Sequence, residues 1–288
     1  MKPPPFTYVR AGSIDEALDA LGEHGDEARV LAGGQSLMPM MNMRLSRPAA
    51  LVDANGVAEL GRVERVNGTV RVGAMVRQSA LTESIDIARG IPMLRDCAPW
   101  IGHWVTRNRG TVGGSIAHAD ARAELPLALV ALGGSVIAAS RRGRREIGAS
   151  ELFAGHFTTS LEPDELLVET RWPAASPGWG YAFEELALRH GDFALAMVAC
   201  ALGVEHDIVV RARIAVGALG DRPRLLEGLA DMLVGQRLDE AMIHQAGSDA
   251  AAGVVTHDEL HASAAYQRHV VPVLVRRALR RALGGASA

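Results

Sequence analysis

Apolar residues near the N-terminus recur at helical spacing, with Ile14, Leu18 and Leu21 on one face. Ser13-Ile14-Asp15-Glu16 at the head of that stripe reads as a capping box, and Gly22 and Gly25 end it. The pattern then shortens to two apolar runs of strand length, Arg29 to Ala32 and Leu51-Val52-Asp53. Residues 1–56 are therefore expected to form a small β-α-β lobe. Val63-Glu64-Arg65-Val66 and Thr69-Val70-Arg71-Val72 flank Asn67-Gly68, which predicts a hairpin, because Asn-Gly adopts the positive φ that a tight hairpin turn requires. From Gln78 to Trp104 the spacing is helical, with interruptions at Gly90, Pro92 and Pro99. Leu125 to Leu132 predicts an apolar helix with Pro126 in its first turn and Gly133-Gly134 past its end. Leu166 to Trp172 is a strand that closes a second lobe over 57–175.

Pro173-Ala174-Ala175-Ser176-Pro177-Gly178-Trp179-Gly180 is the clearest linker in the chain. Beyond it a third unit, 181–288, has a different texture. Ile208 to Val216 alternates like a strand, and helical spacing returns over 223–234, 238–251 and 259–283. Pro272 should kink or split the last of these. No internal repeat or low-complexity tract interrupts the order.

At 288 residues the chain is long enough for two domains or three small lobes with an ample core. Its net charge of −3 gives no reason to expect nucleic acid as a partner. The basic clusters Arg141-Arg142-Gly143-Arg144-Arg145 and Arg276-Arg277 with Arg280-Arg281 read as a solvated turn and a solvated helix face. Cys97 and Cys200 are the only cysteines, too few for a disulfide framework, a structural zinc or an iron–sulfur cluster held by this chain. Met1-Lys2-Pro3-Pro4-Pro5 lacks the apolar segment of a signal peptide, and no apolar run reaches the length of a membrane span, so a cytoplasmic protein is expected.

Two glycine turns carry the candidate chemistry: Ala32-Gly33-Gly34-Gln35-Ser36 and Thr111-Val112-Gly113-Gly114-Ser115. Without a Cβ, glycine lets backbone N–H groups converge on an anion. Two such turns about 80 residues apart, folded side by side, could hold both halves of a pyrophosphate. Neither turn is the G-x-G-x-x-G of a nicotinamide-binding unit, and neither ends in the G-K-[ST] of a P-loop.

Three stretches carry a resemblance: Ala32 to Leu45, Arg107 to Asp120, and Arg189-His190-Gly191-Asp192-Phe193-Ala194. In that order they resemble the FAD-binding medium subunit of the molybdenum hydroxylases, and they span nearly the whole chain. The resemblance implies an α+β fold. Two lobes would form an FAD-binding unit of the vanillyl-alcohol-oxidase and xanthine-dehydrogenase type, followed by a C-terminal domain of antiparallel sheet and helices. It also implies non-covalent FAD on this chain, molybdopterin on a large partner subunit and [2Fe-2S] clusters on a small one. The expected assembly is a dimer of heterotrimers in which the flavin passes electrons to an external acceptor. No residue is expected to act as a catalytic acid or base. A stand-alone FAD-dependent oxidoreductase and a flavin-free scaffold subunit are the competing readings.

By the same resemblance, the cofactor-contacting positions are Ala32, Gly33, Gly34, Gln35, Ser36 and Leu37 at the first turn and Thr111, Val112, Gly113, Gly114 and Ser115 at the second. Asp120 and Glu124 match hydroxyl-contacting acids, with capping of the following helix as the plain alternative. Ile101 and Leu167 match positions beside the flavin or adenine rings and serve equally well as core residues. Glu184 aligns with a lysine near the flavin in xanthine dehydrogenases, where a carboxylate would disfavour an anionic reduced flavin. Asp192 is expected to fix its loop by local backbone hydrogen bonds.

Other clusters point to plainer roles. His257 and His261 have i,i+4 spacing, but Asp258 stands where a zinc-binding H-E-x-x-H needs glutamate, and Asp258 or Thr256 is expected to cap a helix. Ser36 and Ser115 lack the G-x-S-x-G elbow of a nucleophile. Met38, Met40, Met41 and Met43 read mainly as adaptable core packing.

Overall fold

The computed structural model describes residues 1–286. Its first lobe is a parallel three-stranded sheet of β1 (Thr7–Arg10), β2 (Ala28–Leu31) and β3 (Ala50–Asp53), with β3 in the middle. The helix α1 (Ile14–His24) crosses from β1 to β2 and buries Ala17, Leu18, Ala20 and Leu21. Ser13 Oγ accepts the Glu16 N–H at 3.2 Å, and the Glu16 carboxylate returns to the Gly12 N–H at 2.7 Å. The box therefore reaches one residue further back than its usual form. A short helix, α2 (Leu37–Asn42), leads from the first glycine turn toward β3.

The second lobe begins with the hairpin of β4 (Val63–Val66) and β5 (Thr69–Gly73), whose turn residues Asn67 and Gly68 have φ of 48° and 76°. Both values suit the twist-matched two-residue turn. The helical stretch that follows is broken into α3 (Ala80–Glu83), α4 (Ile85–Gly90) and α5 (Pro92–Cys97), with Pro92 as the first residue of α5. Next come α6 (Trp104–Arg109), α7 (Val112–His118) and α8 (Glu124–Leu132). Every residue of α8 is buried, and Gly133 ends it at φ 68°. Two strands, β6 (Ser135–Ser140) and β7 (Gly143–Gly148), follow; a short helix α9 (Ala149–Leu152) and a small ladder of β8 (Phe153–Gly155) and β9 (Thr158–Thr159) precede β10 (Leu166–Pro173). β10 lies at the centre of an antiparallel sheet ordered β4-β5-β10-β6-β7. The first lobe packs on this sheet: Ala17, Leu21 and Val52 share a core with Ile137, Ala139, Leu166 and Val168.

The third unit is an antiparallel meander of β11 (Trp179–Ala187), β12 (Ala194–Glu205), β13 (Ile208–Gly217) and β14 (Arg224–Leu225). The helices α10 (Glu227–Leu233), α11 (Glu240–Gly253) and α12 (Ala264–Ala286) complete it. α12 lies along β11 and β12, while α5 and α8 of the second lobe also pack against this sheet. β12 is thus buried from Ala194 to Gly203, which explains why its sequence shows no alternation.

Two expectations need correcting. β11 starts inside the expected linker, so only 174–178 lie between strands. α12 runs on through Pro272 as one 23-residue helix rather than splitting there. The basic clusters are also tied into the fold. Arg141 pairs with Asp15 and Asp19, Arg142 with Asp164, Arg145 with Glu165, Arg280 with Glu240, and Arg281 with Glu184 and Asp96.

Candidate functional site

The two glycine segments meet between the first and second lobes. A Cβ built on Gly33 would stand 2.4 Å from the Arg109 carbonyl oxygen and 2.7 Å from Gly110 Cα. One built on Gly114 would stand 2.6 Å from Thr111 Oγ1 and 3.3 Å from the Ala32 Cβ. The chain around 109–114 therefore lies directly against 32–33, at a separation that side chains at Gly33 and Gly114 would prevent. Gly34 has φ 71° and provides the left-handed step that leads into α2.

The segments differ in what they offer. Thr111 caps α7, and its Oγ1 accepts the Gly114 N–H at 3.0 Å. The Val112 N–H donates to Val76 O and the Gly113 N–H to Ala74 O, both at 2.9 Å, while the Ser115 N–H donates to Thr111 O at 3.1 Å. The second segment is thus the first turn of a helix with the backbone donors of Val112 to Ser115 engaged, leaving the Thr111 N–H, which uses no hydrogen bond among the described residues, and the half-buried Ser115 hydroxyl as its polar groups. By contrast, among the described residues no hydrogen bond uses the backbone N–H of Gly33, Gly34, Gln35 or Ser36. Gln35 folds back instead, donating from Nε2 to Gly33 O at 3.2 Å.

A side-chain network holds the first turn to the second lobe. The Tyr8 hydroxyl donates to Asp53, whose Oδ1 accepts the Asn55 N–H at 2.9 Å. Asn55 Nδ2 donates to Ala32 O at 2.9 Å, and Asn55 Oδ1 accepts from Arg77 Nη2 at 2.7 Å. Arg77 Nη1 donates to Arg109 O at 2.5 Å, the carbonyl that abuts Gly33. Burial pushes the Asp53 carboxyl up, but hydrogen bonds from Tyr8 and Asn55 outweigh it and hold the group below its usual value. Burial, and then the charge of Arg109, lower the Arg77 guanidinium. These residues line a cleft of about 690 Å³ that also includes Gly33, Gly34, Gln35, Met38 and Asn42. A second cavity of about 290 Å³, beside Arg71 and Gly133-Gly134, contains none of the expected cofactor-contacting positions.

The remaining positions fall elsewhere. Leu37 is half-buried at the start of α2, while Met41 is fully buried and Met43 exposed. Ile101 and Leu167 are buried in the central core. Asp120 Oδ1 accepts the Arg122 N–H at 2.9 Å, a local turn. Glu124, first residue of α8, is buried, and burial above all pushes its carboxyl up to about 7. Glu184 bonds to Arg281 at 2.6 Å, whereas its neighbour Glu185 is buried with neither oxygen hydrogen-bonded. Burial, reinforced by the charge of Glu124, pushes Glu185 up to about 9.

Asp192 ties its loop by a local backbone hydrogen bond, as expected. That loop closes through the Asp192 N–H to Arg189 O at 3.1 Å, and Trp100 stacks on His190 with ring centroids 5.0 Å apart. His257 and His261 lie in the loop before α12, which removes the helical premise of their spacing, and Asp258 Oδ1 caps α12 by accepting the Ala264 N–H at 2.8 Å. Sequence reasoning missed Tyr8, Asn55, Arg77 and Glu185. An Asn-Gly pair after an apolar strand was the one available signal for Asn55.

Residues 4–175 match the FAD binding domain in molybdopterin dehydrogenase, and residues 181–282 match the CO dehydrogenase flavoprotein C-terminal domain. The chain belongs to the FAD-binding medium subunits of the molybdenum hydroxylases. This flavoprotein subunit is 42% identical to the 6-hydroxypseudooxynicotine dehydrogenase complex subunit alpha of Paenarthrobacter nicotinovorans, over 98% of its own length and 96% of that protein. It is 34% identical to the carbon monoxide dehydrogenase medium chain of Hydrogenophaga pseudoflava, over 97% of each. Its fold superposes on a solved carbon monoxide dehydrogenase of Hydrogenophaga pseudoflava with a TM-score of 0.96 at 33% identity, covering 99% of both chains. It superposes on quinoline 2-oxidoreductase from Pseudomonas putida 86 with a TM-score of 0.95 at 36% identity, covering 100% of both. The flavoprotein subunit is accordingly an oxidoreductase component of a multi-subunit complex. No helix among its described residues is long and apolar enough to cross a membrane.

Proposed function

We propose that the cleft between the first two lobes binds the FAD diphosphate, with Ala32 to Leu37 on one side and Thr111 to Ser115 on the other. The uncommitted N–H groups of Gly33 to Ser36 carry this reading, since a backbone with unused donors in a cleft walled by Arg77 and Arg109 suits a dianion. The second segment lies outside the lining of that cleft and has its Val112 to Ser115 donors engaged, so it takes a supporting role behind Ala32, with the Thr111 N–H and the Ser115 hydroxyl to offer. Bound FAD supplies the redox chemistry, and the protein supplies binding, orientation and electrostatics. Glu124 and Asp120 are assigned to hydroxyl groups of the cofactor, and Ile101 and Leu167 to the apolar wall behind its rings.

In the complex, electrons would arrive from [2Fe-2S] clusters of a small subunit, after oxidation of substrate on a large molybdopterin subunit, and leave to an external acceptor. A dimer of heterotrimers in the cytoplasm is the assembly we assign. The units 1–56, 57–175 and 181–288 are its domains. The substrate class we assign is N-heterocyclic, because relatives at 42%, 39% and 39% identity are named for 6-hydroxypseudooxynicotine, nicotine and caffeine.

The visible spectrum of the purified chain, with the released flavin identified chromatographically, tests the cofactor site. Non-covalent FAD near one per chain is expected. Its absence, both here and in the complex isolated from the native host, would remove the reading. Molybdenum and iron in that native complex separate an electron-transfer subunit from a stand-alone oxidoreductase.

A further inference from the structure

The Asp53 carboxylate acts on Arg77 through its field alone, and among the described residues Arg77 forms no ion pair. It makes two side-chain hydrogen bonds, one to Asn55 Oδ1 at 2.7 Å and one to Arg109 O at 2.5 Å, and both acceptors are uncharged. A guanidinium has five N–H donors, so three remain. The one carboxylate lining the same cleft, Asp53, already accepts from Tyr8 and Asn55. The backbone of Arg77 is also part of the site: it bridges Thr111, and the adjacent Gln78 N–H donates to Gly110 O at 2.9 Å. One residue thus joins the second glycine segment through its main chain to the first through Asn55 and Ala32 O.

We propose that Arg77 binds the diphosphate of the cofactor directly, through the donors it does not use in bridging the two lobes, and so serves as both ligand and spacer. This rests on the cleft being the cofactor site. A lysine there could supply a point charge, but it could not donate to Asn55, to Arg109 O and to a phosphate oxygen from one planar group.

The test uses the full chain stripped of flavin, with ADP as the diphosphate probe, adenosine as the probe lacking phosphate, and FAD itself, each titrated by calorimetry. Arg77→Met should weaken ADP and FAD at least ten-fold, the usual worth of a charge-assisted hydrogen bond, and leave adenosine unchanged. Guanidinium ion at millimolar concentration should restore part of the ADP affinity. Arg77→Lys, which keeps the charge and covers the case of a methionine variant that fails to fold, should also lose affinity for FAD. Unchanged ADP and FAD binding in either folded variant overturns the assignment, as does an equal loss for ADP and adenosine, which would make Arg77 a spacer alone. A parent chain that binds neither FAD nor ADP overturns the cofactor site itself.

Discussion

Replacing Glu185 with glutamine should stabilise the protein at alkaline pH and leave it nearly unchanged at acid pH. Glu185 lies on β11, which packs against α5, with Glu124 of α8 the other buried carboxyl in its field and Cys97 buried beside them. Neither of its oxygens finds a donor, and its carboxyl is pushed from an ordinary 4.5 up to about 9, first by burial and then by Glu124. Between those values the unfolded chain releases a proton that the folded chain keeps. This contribution to stability is therefore fully present below pH 4.5 and is lost progressively as pH rises towards 9.

At pH 8 the gap of about 3.5 units corresponds to roughly 5 kcal/mol for an isolated group. Glu124, ionised at that pH, is part of what holds Glu185 up, so the two carboxyls titrate as a pair and only part of the gap belongs to Glu185 alone; about 2–4 kcal/mol is the expected gain for Glu185→Gln. For a chain of this size that is a rise of about 4–12 °C in Tm. Thermal unfolding of parent and variant, both free of flavin, at pH 5 and pH 8 is the assay. An equal difference at the two pH values, or a variant less stable than the parent at pH 8, would refute the account of a neutral buried acid.

Other perturbations address the lobes and their contacts. Gly33→Ala places a Cβ 2.4 Å from a backbone oxygen that cannot rotate away, so it should cost about 1–3 kcal/mol and lower flavin content. Gly114→Ala meets the Thr111 hydroxyl first and should cost about 1 kcal/mol by disturbing that cap; equal flavin occupancy in both variants and the parent would contradict the packing. Arg281→Ala removes the donor shared by Glu184, Asp96 and Phe183 O, and a fall of about 1 kcal/mol in chemical denaturation is expected after allowing for its exposure. Tyr8→Phe withdraws a donor from Asp53, whose carboxyl should titrate higher than in the parent when followed by carbon NMR; an unchanged titration would show that Asn55 alone holds it down.

The architecture was legible where local chemistry decided it. The Ser13 cap, the Asn67-Gly68 turn and the Pro126-to-Gly133 helix each rest on a residue whose backbone preference admits few alternatives. β1 and β12 were not legible, for opposite reasons. β1 has four residues, TYVR, and no clear period, whereas β12 is covered by helices on both faces and so reads as unbroken apolar sequence. The glycine segments could be picked out because bare backbone is unusual, but the difference between their donors could not, since it depends on Ala74 and Val76 carbonyls brought up by folding. Arg77 and Glu185 look in sequence like two ordinary surface charges. What distinguishes them is that neither forms an ion pair among the described residues, which is a property of three-dimensional surroundings.

Synthesis order has a consequence for how this site comes into being. The first turn leaves the ribosome with its donors free, yet the carbonyl it packs against belongs to Arg109 and the clasp that fixes it belongs to Arg77. Those residues are in place only once 74–78 has paired with 110–113. A nascent chain stopped before that point holds half of the proposed receptor, so FAD binding in this cleft would have to wait until the chain as far as 113 has emerged and paired.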